Sequence, residues 1–143
     1  MNKAPITIIM VDDHKIIRNL YKKYLESSQL FTVLADFEDG VTAIEAVKTL
    51  TPDIILVDIN MSPVNGLYVT ENILKNNPEQ KIIGLSVKNQ PAYAHHMIEL
   101  GAKGYLTKTS PIEEIIEGIL EVYKGKTYIC KEVMKKIEAE DNS

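Results

Sequence analysis

The chain has a single cysteine, Cys130, in 143 residues. That excludes an internal disulfide and any metal site built from several thiolates, and it fits a reducing compartment. Long hydrophobic runs are missing too. No stretch approaches the roughly 20 apolar residues of a membrane-spanning helix. Near the amino terminus, Lys3 precedes a short apolar run that Asp12-Asp13 interrupts. That segment is too short and too acidic at its end for a secretory signal. An excess of one charge is also lacking: 16 basic and 20 acidic residues are interspersed, for a net charge of −4. This leaves no electrostatic footprint for nucleic acid or an anionic membrane. Internal repeats and low-complexity segments are absent. The expected setting is the cytoplasm.

What remains is ordinary for a soluble globular domain, with 45% hydrophobic and 25% charged residues. The length suits one domain with a real core. Short β-branched apolar runs predict strands at 6–11, 31–36, 53–57, 81–86 and 103–107. Helical stripes lie between them. One is Ile17, Leu20, Tyr21 and Tyr24; another is Ala43, Ile44, Val47 and Leu50. A shorter one is Val69, Ile73 and Leu74, and a fourth, Ala94, Met97 and Ile98, stops at Gly101. The clearest is Ile112, Ile115, Ile116, Ile119 and Tyr123, opened by Ser110-Pro111-Ile112-Glu113 as a capping box with proline first in the helix. Alternating elements predict an α/β fold, a doubly wound five-stranded parallel sheet with helices on both faces. The domain is expected over 1–126. Residues 127–143 read as a linker or an extra helix over 127–138, with Ile129, Val133 and Ile137 on one side and a frayed end from Glu138.

Three carboxylates are placed for chemistry. The first strand runs into Asp12-Asp13 and the third into Asp58. As parallel neighbours, these strands would bring the acids together at the carboxyl edge, where α/β proteins place their sites. Clustered carboxylates repel, and a divalent cation with oxygen ligands, Mg²⁺, is the usual remedy. Each residue alone has a plainer reading: Asp13 as a cap of the first helix, Lys108 as a solvated cation, Ser86 as a core-edge hydroxyl, Tyr105 as packing. His14 reads as a loop residue beside the acids. His95 and His96 are adjacent on a helix and read as surface groups. Tyr21, Tyr24 and Tyr123 read as packing.

Taken in order, the acidic pair, Asp58-Ile59-Asn60-Met61 with Gly66 following, Leu85-Ser86, and Gly101 to Lys108 resemble the receiver domain of bacterial two-component response regulators. The likeness covers residues 5 to about 123 and is nearest to the NarL/FixJ class, whose receivers precede a LuxR-type DNA-binding domain; it implies that any contact with DNA would be made through an output domain absent from this chain. It implies strand order 2-1-3-4-5 and a phosphoacceptor switch rather than an enzyme, capable at most of phosphorylating and dephosphorylating itself. Asp58 would take a phosphoryl group from a histidine kinase or phosphotransfer protein. Mg²⁺ would be held by Asp13 and Asp58, by Asp12 directly or through water, and by the backbone carbonyl of Asn60. Lys108 would pair first with Asp58 and then with a phosphoryl oxygen. Ser86 would donate to that oxygen, and Tyr105 would turn inward behind it. A homodimer on phosphorylation is expected, through the face of the fourth helix, fifth strand and fifth helix, or through Ile17, Tyr21, Leu120 and Tyr123.

The sequence departs from the family pattern in places. Pro63 stands one residue late, Val87 follows Ser86, and Thr109 follows Lys108, where a cis bond is expected. Two other readings compete. An Mg²⁺-dependent aspartyl-phosphate phosphohydrolase would need a proton-transferring Asp at the position of Asn60. A flavin-phosphate module would need a Ser/Thr/Gly-rich loop after the first strand, where Asp12-Asp13 would repel the phosphate.

Overall fold

The structure, a computed structural model, describes residues 4–142. Six strands and six helices alternate: β1 (Ile6–Val11), α1 (Lys15–Ser27), β2 (Phe31–Phe37), α2 (Gly40–Leu50), β3 (Ile54–Asp58), α3 (Gly66–Asn76), β4 (Lys81–Ser86), α4 (Pro91–Leu100), β5 (Gly104–Thr107), α5 (Ile112–Tyr123), β6 (Tyr128–Ile129) and α6 (Lys131–Asp141). One parallel sheet has the order β2-β1-β3-β4-β5-β6. This is the doubly wound order expected from the sequence, with one strand added at the edge. β1, β3 and β4 are covered on both faces, so their side chains are apolar without alternation: Ile8, Ile9, Ile54, Ile55, Val57 and Ile82 are all fully buried.

The sixth strand carries no sequence signal because two residues cannot display a period. Tyr128 and Ile129 pair with Gly104 and Tyr105. The helix after them therefore starts at Lys131, later than position 127, and it continues to Asp141 where fraying was expected. Cys130 and Val133 are buried beneath it.

Two helix starts differ from the sequence reading. Helix α5 begins at Ile112 with Pro111 as its N-cap and no side-chain cap. The Ser110 hydroxyl instead pairs with the Thr107 hydroxyl at 2.9 Å, so no capping box forms. Helix α1 is preceded by His14 rather than Asp13. Its buried face is Arg18, Tyr21 and Leu25, while Leu20 and Tyr24 are 42% and 45% exposed. The apolar stripe is thus rotated, because buried Arg18 takes a core-facing position. Its guanidinium donates to Asp36 Oδ1 at 2.8 Å and to the Asp12 carbonyl at 2.6 Å, which satisfies the charge. Helix α4 does stop as expected, at Gly101 with φ of 114°. Among the described residues, the only cis peptide is Ser62–Pro63, so the bond expected to be cis at Lys108–Thr109 is trans.

Candidate functional site

The carboxyl ends of β1 and β3 are adjacent because the register pairs Val11 with Val57. The residues that follow, Asp12 and Asp58, therefore share one edge. The loop beyond Asp58 must pass tightly over the start of α3. A side chain at Gly66 would put its Cβ 2.5 Å from the Asp58 carbonyl oxygen and 2.7 Å from Ile59 Cα. The absence of that Cβ lets the backbone close there, and the Gly66 amide donates to the Ile59 carbonyl at 3.0 Å.

Asp12, Asp13, His14 and Asp58 each offer a ligand atom, all within 4.8 Å of one another. Asp12 and Asp58 are 3% and 2% exposed, whereas Asp13 faces solvent. One oxygen of each buried acid is spoken for. Asp12 Oδ1 accepts from the His14 amide at 2.8 Å, and Asp58 Oδ1 accepts from the Asn60 amide at 3.0 Å. The other oxygens, Asp12 Oδ2 and Asp58 Oδ2, are buried without a hydrogen bond. The Lys108 ammonium stands 2.7 Å from the former and 3.3 Å from the latter, close enough for charge pairing. Burial pushes the Asp58 carboxyl above the ordinary range and the Asp12 charge adds to this; the Asn60 amide and Lys108 pull the other way.

His14 is not a bystander. Its Nδ1 lies 3.0 Å from an oxygen of Asp12 and 3.0 Å from one of Asp13. His95 and His96 are exposed on α4.

Lys108 is carried in by β5, whose last residue Thr107 pairs with Ser86. Ser86 is fully buried and donates to Asn60 Oδ1 at 2.6 Å. It also accepts from the Lys88 amide at 3.0 Å. Tyr105 is fully buried and its hydroxyl donates to the Lys88 carbonyl. Burial pushes its phenol up to about 12. The Tyr105 ring therefore lies inward, behind Ser86. Every predicted site residue, Asp12, Asp13, Asp58, Asn60, Ser86, Tyr105 and Lys108, falls at or behind this edge.

Besides His14, sequence reasoning missed three participants. Arg18 could have been suspected as a charge inside an apolar stripe. The side chain of Asn60, which orders Ser86, was overlooked in favour of its carbonyl. Glu132 had no local signal at all, since only the sixth strand brings it near. Its Oε1 accepts from Thr107 and Thr109 hydroxyls at 2.8 and 3.0 Å, and its Oε2 from the Asn89 amide nitrogen at 2.7 Å. Those donors hold its carboxyl below the ordinary range, the Asn89 bond first.

With this geometry in hand, the relationship to known proteins is clear. The family model for the response regulator receiver domain matches residues 8–120, and the chain belongs to that family. It is 38% identical over 133 residues to the transcriptional regulatory protein DegU of Brevibacillus brevis, covering 93% of this chain and 56% of that one. It is 37% identical over 123 residues to the oxygen regulatory protein NreC of Staphylococcus epidermidis, covering 85% and 56%. The chain therefore spans little more than half the length of these relatives. A LuxR-family two-component response regulator from Aurantimonas sp. SI85-9A1 superposes with a TM-score of 0.94 at 26% identity, covering 98% of this chain and all of that one.

Proposed function

We propose that this receiver is a phosphorylation-controlled switch with Asp58 as its phosphoacceptor. The observation that carries the reading is the buried edge where Asp58 meets Asp12, Asp13 and Lys108. One oxygen of Asp58 is oriented by the Asn60 amide and the other faces the Lys108 ammonium at 3.3 Å. A carboxylate oxygen would attack the phosphorus of a donor phosphohistidine. A P–O bond forms, the P–N bond breaks, and its electron pair leaves with the imidazole. Lys108 is placed to meet the charge of the incoming phosphoryl oxygens, and Ser86 can turn its hydroxyl toward them.

The donor set fits Mg²⁺: hard carboxylate oxygens, two of them buried beside the Lys108 ammonium. Asp12, Asp13 and Asp58 would hold it with the Asn60 carbonyl, and it would offset the negative charge of carboxylate and phosphoryl group. The phosphohydrolase alternative is not favoured. Asn60 stands where that chemistry needs a proton donor, and its side chain is engaged by Ser86.

We take the partner to be a sensor histidine kinase or phosphotransfer protein and the output to be transcription, as the name of DegU suggests. A cytoplasmic location suits such a partner and the single cysteine. No helix among the described residues is long and apolar enough to cross a membrane. We place the domain at residues 1–126, with 127–143 as an appended segment. Dimerisation on phosphorylation would use exposed surface on α1 and α5. There Ile16, Leu20, Tyr24 and Tyr123 are available, whereas Tyr21 is buried and offers none.

The direct test is incubation with acetyl phosphate and Mg²⁺ followed by intact mass. Wild type gains one phosphoryl group and Asp58→Asn gains none. An Asp58→Asn variant labelled like wild type would overturn the assignment.

A further inference from the structure

The first turn of α6 is fastened by two carboxylates that do different things. Glu114 of α5 is buried. Its Oε2 accepts from the Lys131 amide at 2.7 Å and from the Tyr128 hydroxyl at 2.7 Å, capping the new helix. Glu132 reaches the other way. Through Thr107 and Thr109 it holds the two residues that flank Lys108. Through Asn89 it holds the loop that leaves Ser86, and Lys136 of the same helix donates to Asn89 Oδ1 at 2.9 Å.

We propose that Glu132 is a positioning residue for the phosphoacceptor site, and that its bonds couple docking of α6 negatively to phosphorylation of Asp58. The inference rests on the reading of Asp58 given above. Ser86 is now tied to Asn60 Oδ1 and to the Lys88 amide. To donate to a phosphoryl oxygen it must give up Asn60, and the turn from Ser86 through Lys88 to Asn89 must follow. Lys108, now shared between Asp12 at 2.7 Å and Asp58 at 3.3 Å, must turn toward the new charge, and Thr107 and Thr109 hold the backbone on either side of it. Glu132 bonds to the ends of both moving segments and to nothing that lies between them. It is therefore satisfied in one arrangement of the two loops and loses partners in the other. A residue that stabilises one of two states biases the equilibrium for every ligand that prefers the other. By linkage, phosphorylation loosens α6 by the same factor that α6 docking weakens phosphorylation. The helix that follows the receiver is then a readout of the site rather than a passive appendage. It leads directly toward whatever the chain is joined to in longer relatives.

The test uses the whole chain and beryllofluoride with Mg²⁺ as a stable phosphoryl mimic. In wild type, hydrogen exchange at 131–141 should speed up on adding the mimic, while exchange in α2 stays constant. In Glu132→Ala, α6 should exchange rapidly without the mimic, and affinity for the mimic should rise at least about fivefold, the low end of a typical coupling. Glu132→Gln keeps one acceptor oxygen and should fall between the two. A purely structural role would fray α6 in Glu132→Ala and leave affinity unchanged, which would overturn the proposal. So would wild-type α6 protection that ignores the bound mimic. If wild type fails to bind the mimic at all, the assignment of Asp58 falls and this inference falls with it, so the two failures are distinguishable.

Discussion

Lys108 lies closer to Asp12, at 2.7 Å, than to Asp58, at 3.3 Å. The family resemblance led us to expect its first partner to be Asp58. In the structure it is shared, and it serves two buried acids at once. Its role before any phosphoryl group arrives is that of counter-charge.

Removing that cation should therefore destabilise the fold as well as the switch. In Lys108→Ala, two buried carboxylates would face each other without the ammonium they share. Breaking a buried ion pair from one side costs on the order of 3–5 kcal/mol. Since Asp58 can relieve part of this by taking a proton, about 3 kcal/mol is expected at neutral pH with a chelator present. Urea unfolding measures it. A variant as stable as wild type would show that Lys108 is not the counter-charge.

Asp58→Asn should do the opposite. The substitution keeps an acceptor for the Asn60 amide and removes a buried charge. A gain of about 1 kcal/mol is expected at neutral pH without metal, in the range of single stabilising changes. The pH dependence follows from the raised carboxyl of Asp58. A group whose folded pKa lies above its unfolded value contributes stability fully below the unfolded value and loses it as pH rises through the folded one. The advantage of Asp58→Asn should thus be largest at neutral pH and shrink as acid protonates wild-type Asp58. Thermal unfolding of both proteins across that range, with a chelator, checks it. An advantage that grows toward acid would contradict the sign.

Gly66 should tolerate no side chain. A Cβ there would meet backbone of Asp58 and Ile59 rather than a flexible side chain, so the loop itself must move. Overpacking of this kind costs about 1–3 kcal/mol. Gly66→Ala should lower stability by that amount in urea and slow labelling by acetyl phosphate. Unchanged labelling would mean that the loop position does not govern Asp58.

Much of this site was readable beforehand because it hangs on strand ends. Runs of β-branched residues mark β1 and β3, and parallel pairing of the two makes Asp12 and Asp58 neighbours. Side-chain identity was harder. Tyr21 and Leu20 are both apolar positions of one stripe, yet only Tyr21 is buried, on a face it shares with Leu25 and with Arg18, which pairs with Asp36. That pairing is long-range and leaves no periodic trace. Glu132 is the clearest case. Its importance comes from β6, two residues long, which carries α6 across to Thr107 and Asn89. Nothing local distinguishes it from other acids of the polar tail.

His14 provides the most discriminating prediction about metal. Its Nδ1 engages an oxygen on Asp12 and one on Asp13, atoms that a cation would also need. The imidazole could be a further ligand, or a stand-in that must leave before a cation enters. Mg²⁺ prefers oxygen donors, and that favours the second role. Asp13→Ala should therefore lose at least about tenfold in Mg²⁺ affinity, as ligand-sphere changes commonly do. His14→Ala should bind at least as tightly as wild type, since the carboxylates no longer have a competitor. The chain has no tryptophan, so tyrosine emission can follow the titration, and calorimetry can confirm it. Equal affinity in Asp13→Ala and wild type would remove Asp13 from the site. A loss in His14→Ala comparable to that in Asp13→Ala would make the imidazole a ligand, and would point to a softer metal than Mg²⁺.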